Sequence, residues 1–158
     1  MRLLVVMGEG GHTKEMVRLV DLLGAEYEYG YVLVEDDELS TGKITRPGPI
    51  FRVLRPRDKT HNLIGDAWKA VKCATQAVRI VRRFRPQAVL STGPAVAVPV
   101  AVVAKLFGSQ VIFVETGSRV RALSMTGRIM YRLADLFFVQ WEPLLAACPR
   151  ARYAGRLW

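Results

Sequence analysis

RLLVVMGEGGHTKEMVRLV (residues 2–20) decides the fold. The apolar run at 2–7 reads as a strand buried on both faces, and glycines 8, 10 and 11 as a tight loop. The apolar spacing over about 13–23 reads as a helix that Gly24 stops. Strand, glycine loop and helix together open a doubly wound α/β unit. The pattern then recurs. YVLVE (31–35), PIFRVL (49–54), QAVLS (87–91), QVIFVE (110–115) and LFFVQ (136–140) read as further short strands. Helices are expected at 63–84, ended by Arg85-Pro86, at about 94–107, stopped by Gly108, and near 126–134. The class is α/β: a Rossmann-like, doubly wound, mostly parallel sheet. At 158 residues the chain is expected to be a single domain.

In the strand order 3-2-1-4-5, strands 1 and 4 are neighbours, and ligands bind beyond their carboxyl ends. Three loops should meet there, at residues 8–13, 91–94 and 115–119, each with glycine and a hydroxyl side chain. In the first, Gly10 and Gly11 let the backbone approach a ligand. The helix start near Thr13 directs N–H groups and a positive dipole end at an anion such as a diphosphate. The same residues also describe a simple strand-to-helix turn capped by Thr13. A Walker loop is absent, and a dinucleotide fingerprint would need glycine where Thr13 stands. Glu35 sits where a ribose-binding acid would, so a nicotinamide enzyme remains an alternative. His12 is a candidate general base, because imidazole titrates near neutrality. Glu115 is a second candidate, to orient a hydroxyl or act as base, with pairing to Arg119 or Arg121 as the structural alternative.

The net charge of +9 is uneven: residues 1–40 hold nine of the 14 acidic groups and only three of the 23 basic ones. A face that meets anions is implied. Nucleic acid is disfavoured, because the aromatics are not interleaved with the basic residues as a stacking platform requires. Over 63–84, Lys69, Lys72, Arg79, Arg82 and Arg83 accompany an apolar stripe that includes Trp68, and Arg55, Arg57 and Lys59 precede it. Trp68, Arg79, Arg82 and Arg83 are the expected contact with an anionic membrane surface. The longest apolar run, 94–104, is eleven residues, against roughly 20 for a membrane span, and the start has no signal-peptide pattern. Cys73 and Cys148 match no metal spacing, so a reduced protein on the cytoplasmic side, with no structural metal, is expected.

GEGGHTKEM, STGPAVAVP, VETGSRVRALSMTGRIMYRLADLFFVQW and the closing YAGRLW resemble, in order, the acceptor-binding subunit of the two-part UDP-N-acetylglucosamine transferase of dolichol-linked oligosaccharide synthesis. Bacterial PssD-like polysaccharide proteins belong to the same family, and the glycine-rich start is more distantly similar to the N-terminal half of MurG. The resemblance implies the N-terminal half of a split GT-B glycosyltransferase. It would be active only with a separate donor-binding subunit, and would move N-acetylglucosamine or a related hexose from a UDP-sugar to a polyprenyl-diphosphate-linked saccharide. It implies no tightly bound cofactor and a peripheral place on the cytoplasmic side of a membrane. By the same resemblance, Gly10, Gly11 and His12 line the acceptor diphosphate and nucleophile region; Thr13 and Gly93 of the converging loops are expected to bind the acceptor beside them. Glu115, Ser118 and Arg119 match a glutamate–x–x–x–arginine loop facing that cleft. The membrane-spanning helix usual at the start of eukaryotic members is not present in the sequence. A non-catalytic activator of a transferase is the alternative. Residues 141–158 are expected to contact the partner. Residues 153–158 should extend beyond the last regular element, with Leu157 and Trp158 in the interface.

Overall fold

A computed structural model describes residues 1–56 and 63–157. Arg57, Lys59 and Trp158 lie outside the described residues. The strands are β1 (Arg2–Val6), β2 (Glu28–Val34), β3 (Ile50–Val53), β4 (Ala88–Ser91), β5 (Gln110–Val114), β6 (Leu136–Val139) and β7 (Arg152–Tyr153). The helices are α1 (Gly11–Leu23), α2 (Glu38–Thr41), α3 (Leu63–Phe84), α4 (Ala97–Leu106), α5 (Met125–Leu133) and α6 (Leu144–Ala147). All strand pairs are parallel, in the order β3-β2-β1-β4-β5-β6-β7. The Rossmann-like sheet is therefore as expected, with β1 and β4 adjacent.

The strands' apolar side chains divide by parity between the two faces. Leu4, Val6, Val32, Val34, Val53 and Val89 pack with Cys73, Ala77, Val81 and Phe84 of α3 and Val100 and Ala104 of α4. Val111, Phe113, Phe137 and Val139 continue that face under Met130 of α5 and Leu144 of α6. On the other face, Leu3, Val5, Tyr31 and Leu33 pack on Met16 and Val20 of α1.

Two expectations need correction. Helix α1 begins at Gly11 rather than near Thr13, and its cap position is Gly10, with no side-chain cap. Residues 153–158 do not all lie beyond the sheet: β7 pairs with β6, matching Phe138 with Arg152 and Val139 with Tyr153. Among the described side chains of α3, those in the core begin at Cys73. Ala67, Trp68 and Val71 are exposed, Trp68 by 62%. The cause is length: 22 helical residues span roughly 33 Å, whereas the four residues of β4 span roughly 13 Å, so the first turns of α3 overhang the sheet.

Candidate functional site

The carboxyl ends of β1, β4 and β5 bring their loops together. His12 Nδ1 lies 2.7 Å from the carbonyl oxygen of Thr92, and the Thr92 hydroxyl donates back to His12 O at 3.2 Å. A carbonyl only accepts, so Nδ1 carries a hydrogen, and in the neutral ring the lone pair is on Nε2. The His12 side chain is 33% exposed, which leaves the ring reachable from outside. Two glycines make this packing possible. A Cβ on Gly8 would lie 2.7 Å from His12 Cβ and 2.9 Å from Pro94 Cβ; one on Gly93 would lie 3.0 Å from His12 Cε1.

Gly10 and Gly11 are exposed, and a Cβ at either would meet nothing within 4 Å. Gly10 has φ +63°, a left-handed conformation that suits glycine. The first N–H groups of α1 have no side-chain cap, an arrangement suited to an anion. Thr13 differs from the expectation that it touches a ligand. It is fully buried, its hydroxyl donates to Gly8 O, and Ser40 Oγ of α2 lies 2.9 Å away. It pins the glycine loop from behind. Asp37 accepts from Ser40 N at 3.0 Å, which caps α2 and fixes Ser40 for this contact.

Glu115 is fully buried, and Arg119 acts on it only as a weaker charge. Its Oε1 accepts from Thr116 N at 3.1 Å, and its Oε2 from Ser124 N at 3.1 Å and Ser124 Oγ at 3.2 Å. Burial pushes its pKa above the usual carboxylate value, against the opposing hydrogen bonds of Ser124 and Thr116 and the charge of Arg119. It clasps both ends of the loop 116–124, whose middle presents exposed Ser118 and Arg119. Arg119 N donates to Thr116 O at 3.0 Å, which closes a turn there. The expected basic face is also exposed: Arg79, Arg82 and Arg83 follow Trp68 and Lys72 along one side of α3. Lys72 lies over the Trp68 ring at 5.6 Å, and Arg82 over Phe107 at 5.6 Å.

Sequence reasoning missed Glu15, which is 2% exposed with Oε2 3.9 Å from His12 Nδ1. The i, i+3 spacing from His12 was the available signal, since it places both on one face of α1. It also missed a groove of about 380 Å³ on the α1 side of the sheet. Its floor is Leu90, Ile112, Leu136 and Phe138, and its walls are α1 and residues 154–157. Leu157 is half-buried there, and its N–H donates to Gln140 Oε1 at 2.9 Å.

Residues 3–157 match the family described as "Oligosaccharide biosynthesis protein Alg14 like". The mouse "UDP-N-acetylglucosamine transferase subunit ALG14" is 33% identical over 99% of this chain and 83% of its own. The human protein of the same name is 32% identical over 98% and 82%, and that of Kluyveromyces lactis 30% identical over 98% and 78%. Among solved structures, Acinetobacter baumannii MurG superposes with a TM-score of 0.75 at 18% identity. That match covers 90% of this chain and 42% of the MurG chain. The UDP-GlcNAc 2-epimerase of Neisseria meningitidis, bound to UDP-GlcNAc, superposes with a TM-score of 0.72 at 13% identity over 99% and 47%. These structural likenesses concern the fold.

Proposed function

The chain belongs to the Alg14-like family of oligosaccharide biosynthesis proteins, and from that premise we propose that it is the acceptor-binding subunit of a split UDP-sugar glycosyltransferase. The acceptor is a polyprenyl-diphosphate-linked saccharide, and the donor is UDP-N-acetylglucosamine or a related UDP-hexose held by a separate subunit. The observation that carries this reading is His12, held through Nδ1 by Thr92 O at the meeting point of three loops, which leaves Nε2 of the neutral ring as the proton acceptor. The relatives' name, a transferase subunit, supports the division of labour. The chain's fold also matches only 42% of the MurG chain, less than half of that protein.

In the transfer step the acceptor hydroxyl oxygen bonds to the anomeric carbon of the donor sugar. The bond from that carbon to the diphosphate oxygen breaks, and UDP leaves with the electron pair. The hydroxyl proton passes to His12 Nε2. Gly10, Gly11 and the uncapped start of α1 receive the acceptor diphosphate, with Gly93 against the imidazole and Ser118 and Arg119 across the cleft. Glu115 holds the loop that carries Ser118 and Arg119; the base is His12.

The groove over β5 and β6 receives an apolar segment of the donor-binding subunit. Leu136 and Phe138 are apolar but only half-buried, and among the described residues α1 is the one helix lining that side. Parallel strands carry apolar residues on both faces when both are covered. Leu157 forms one wall, so the expected interface at the chain's end becomes part of this groove. The outer side of α3 lies toward an anionic, cytoplasmic membrane surface. Val102, Leu106 and Phe107 of the α4 end, all exposed, add apolar surface beside Arg82.

His12→Ala tests the reading. In the complex with the donor-binding subunit it should lower kcat by about 10²-fold or more, with an unchanged melting temperature. Wild-type kcat in a folded complex would remove His12 from the chemistry.

A further inference from the structure

The proton transfer just described leaves a buried polar bridge behind His12 unexplained. Glu15 lies one helical turn on from His12, 2% exposed, with Oε2 3.9 Å from Nδ1. Its Oε1 accepts from Gly117 N at 2.7 Å, Thr116 Oγ1 at 3.1 Å and Gln140 Nε2 at 3.3 Å. Gln140, also 2% exposed, donates through the same nitrogen to Glu115 O at 3.1 Å, and its Oε1 accepts from Leu157 N at 2.9 Å. Helix α1, the loop after β5, the end of β6 and the tail at 157 therefore meet on two side chains. A carboxylate is costly to bury unless donors converge on it, and three do so on one oxygen.

We propose that Glu15 is a positioning residue for the His12 base, and that Gln140 ties this positioning to the tail that walls the apolar groove. Thr92 O holds the imidazole in its plane and tautomer. When Nε2 takes the acceptor proton the ring becomes a cation, and the Glu15 carboxylate stabilises that charge from the Nδ1 side. Gln140 orients Glu15 with one end of its amide and holds Leu157 with the other. A partner segment packed against Leu157 therefore bears on the group that supports the base. The kinetic part of this inference rests on the transferase reading; the structural part does not.

The test uses the full chain with ring-¹⁵N histidine. His61 is the only other histidine in the sequence, so a His61→Gln background leaves His12 as the single imidazole. Glu15→Gln, nearly isosteric but uncharged, should displace both ring-nitrogen resonances of His12. Gln140→Leu should displace them less, while amide signals far from the site stay in place. In the complex with the donor-binding subunit, Glu15→Gln should lower kcat at least about tenfold and leave KM within about threefold. Unchanged ring resonances in both variants, or a loss carried by KM alone, would overturn the proposal. If the wild-type complex shows no transfer, the transferase reading fails, and the ring spectra still decide whether the bridge acts on His12.

Discussion

Phe137 and Phe138 are neighbours on β6 and point to opposite faces of the same sheet. Phe137 is 4% exposed, stacked on Phe113 at 5.1 Å and met edge-on by Tyr131 at 5.2 Å. Phe138 is half-buried at the floor of the groove. One face is closed by α3, α4, α5 and α6; among the described residues, the other has, over β4, β5 and β6, α1 and residues 154–157 only at its margins. Identical side chains one residue apart thus do different things: the first is core, and the second floors an open groove. An apolar strand reports that both faces are to be covered, and leaves open which molecule does the covering.

The largest expected effect separates these two phenylalanines. Phe137→Ala should destabilise the isolated chain by about 3–5 kcal/mol, the range for a truncated core aromatic, read by chemical denaturation. Phe138→Ala should cost the isolated chain far less. It should instead weaken pairing with the donor-binding subunit by about 2 kcal/mol, roughly 30-fold in Kd, read by calorimetry. Equal destabilisation by both would mean that the open face is core, and the comparison would collapse.

A second contrast is electrostatic. The groove floor is apolar, whereas the outer side of α3 carries Arg79, Arg82 and Arg83. Raising salt should leave subunit pairing nearly unchanged and should release the chain from anionic vesicles, because exposed charges are screened beyond about 8 Å at physiological ionic strength. Replacing the three arginines with glutamine should weaken vesicle binding at least about fivefold. Vesicle binding indifferent to both treatments would remove α3 as the membrane contact.

The smallest effect concerns Glu115, whose pKa burial raises above the ordinary carboxylate value. The folded chain therefore binds this proton more readily than the unfolded chain does. Stability from this group grows as pH falls through the raised value toward the ordinary one, and is lost as pH rises. Glu115→Gln should flatten that part of the dependence of Tm on pH. Equal slopes in the two proteins would show that Glu115 is not the group responsible.

The strand order was legible because each strand is a short apolar run and each helix carries its own period. Gly24, Gly108 and Arg85-Pro86 marked the helix ends. The convergence of His12 with Thr92 and Gly93 followed from topology. Four things were not legible, for a common reason. Glu15 looks like a polar face residue of α1, and only the loop at 116–117, about 100 positions away, makes it a buried anchor. Gln140 looks like the frayed end of a strand until Leu157 returns to it. Tyr153 looked like tail because a two-residue strand has no period of its own, and pairing with β6 alone defines it. Thr13, read as a cap and ligand contact, is buried because α2 brings Ser40 against it.

The most direct test of a half-enzyme is to supply the missing half. UDP-N-acetylglucosamine and a short-chain polyprenyl-diphosphate monosaccharide would be incubated with the purified chain, with the donor-binding subunit, and with both, and the elongated lipid quantified. The account predicts product only when both are present, and loss of that product when Phe138→Ala weakens pairing at limiting subunit concentration. Sustained turnover by the chain alone, or by the donor-binding subunit alone at the rate of the pair, would contradict it.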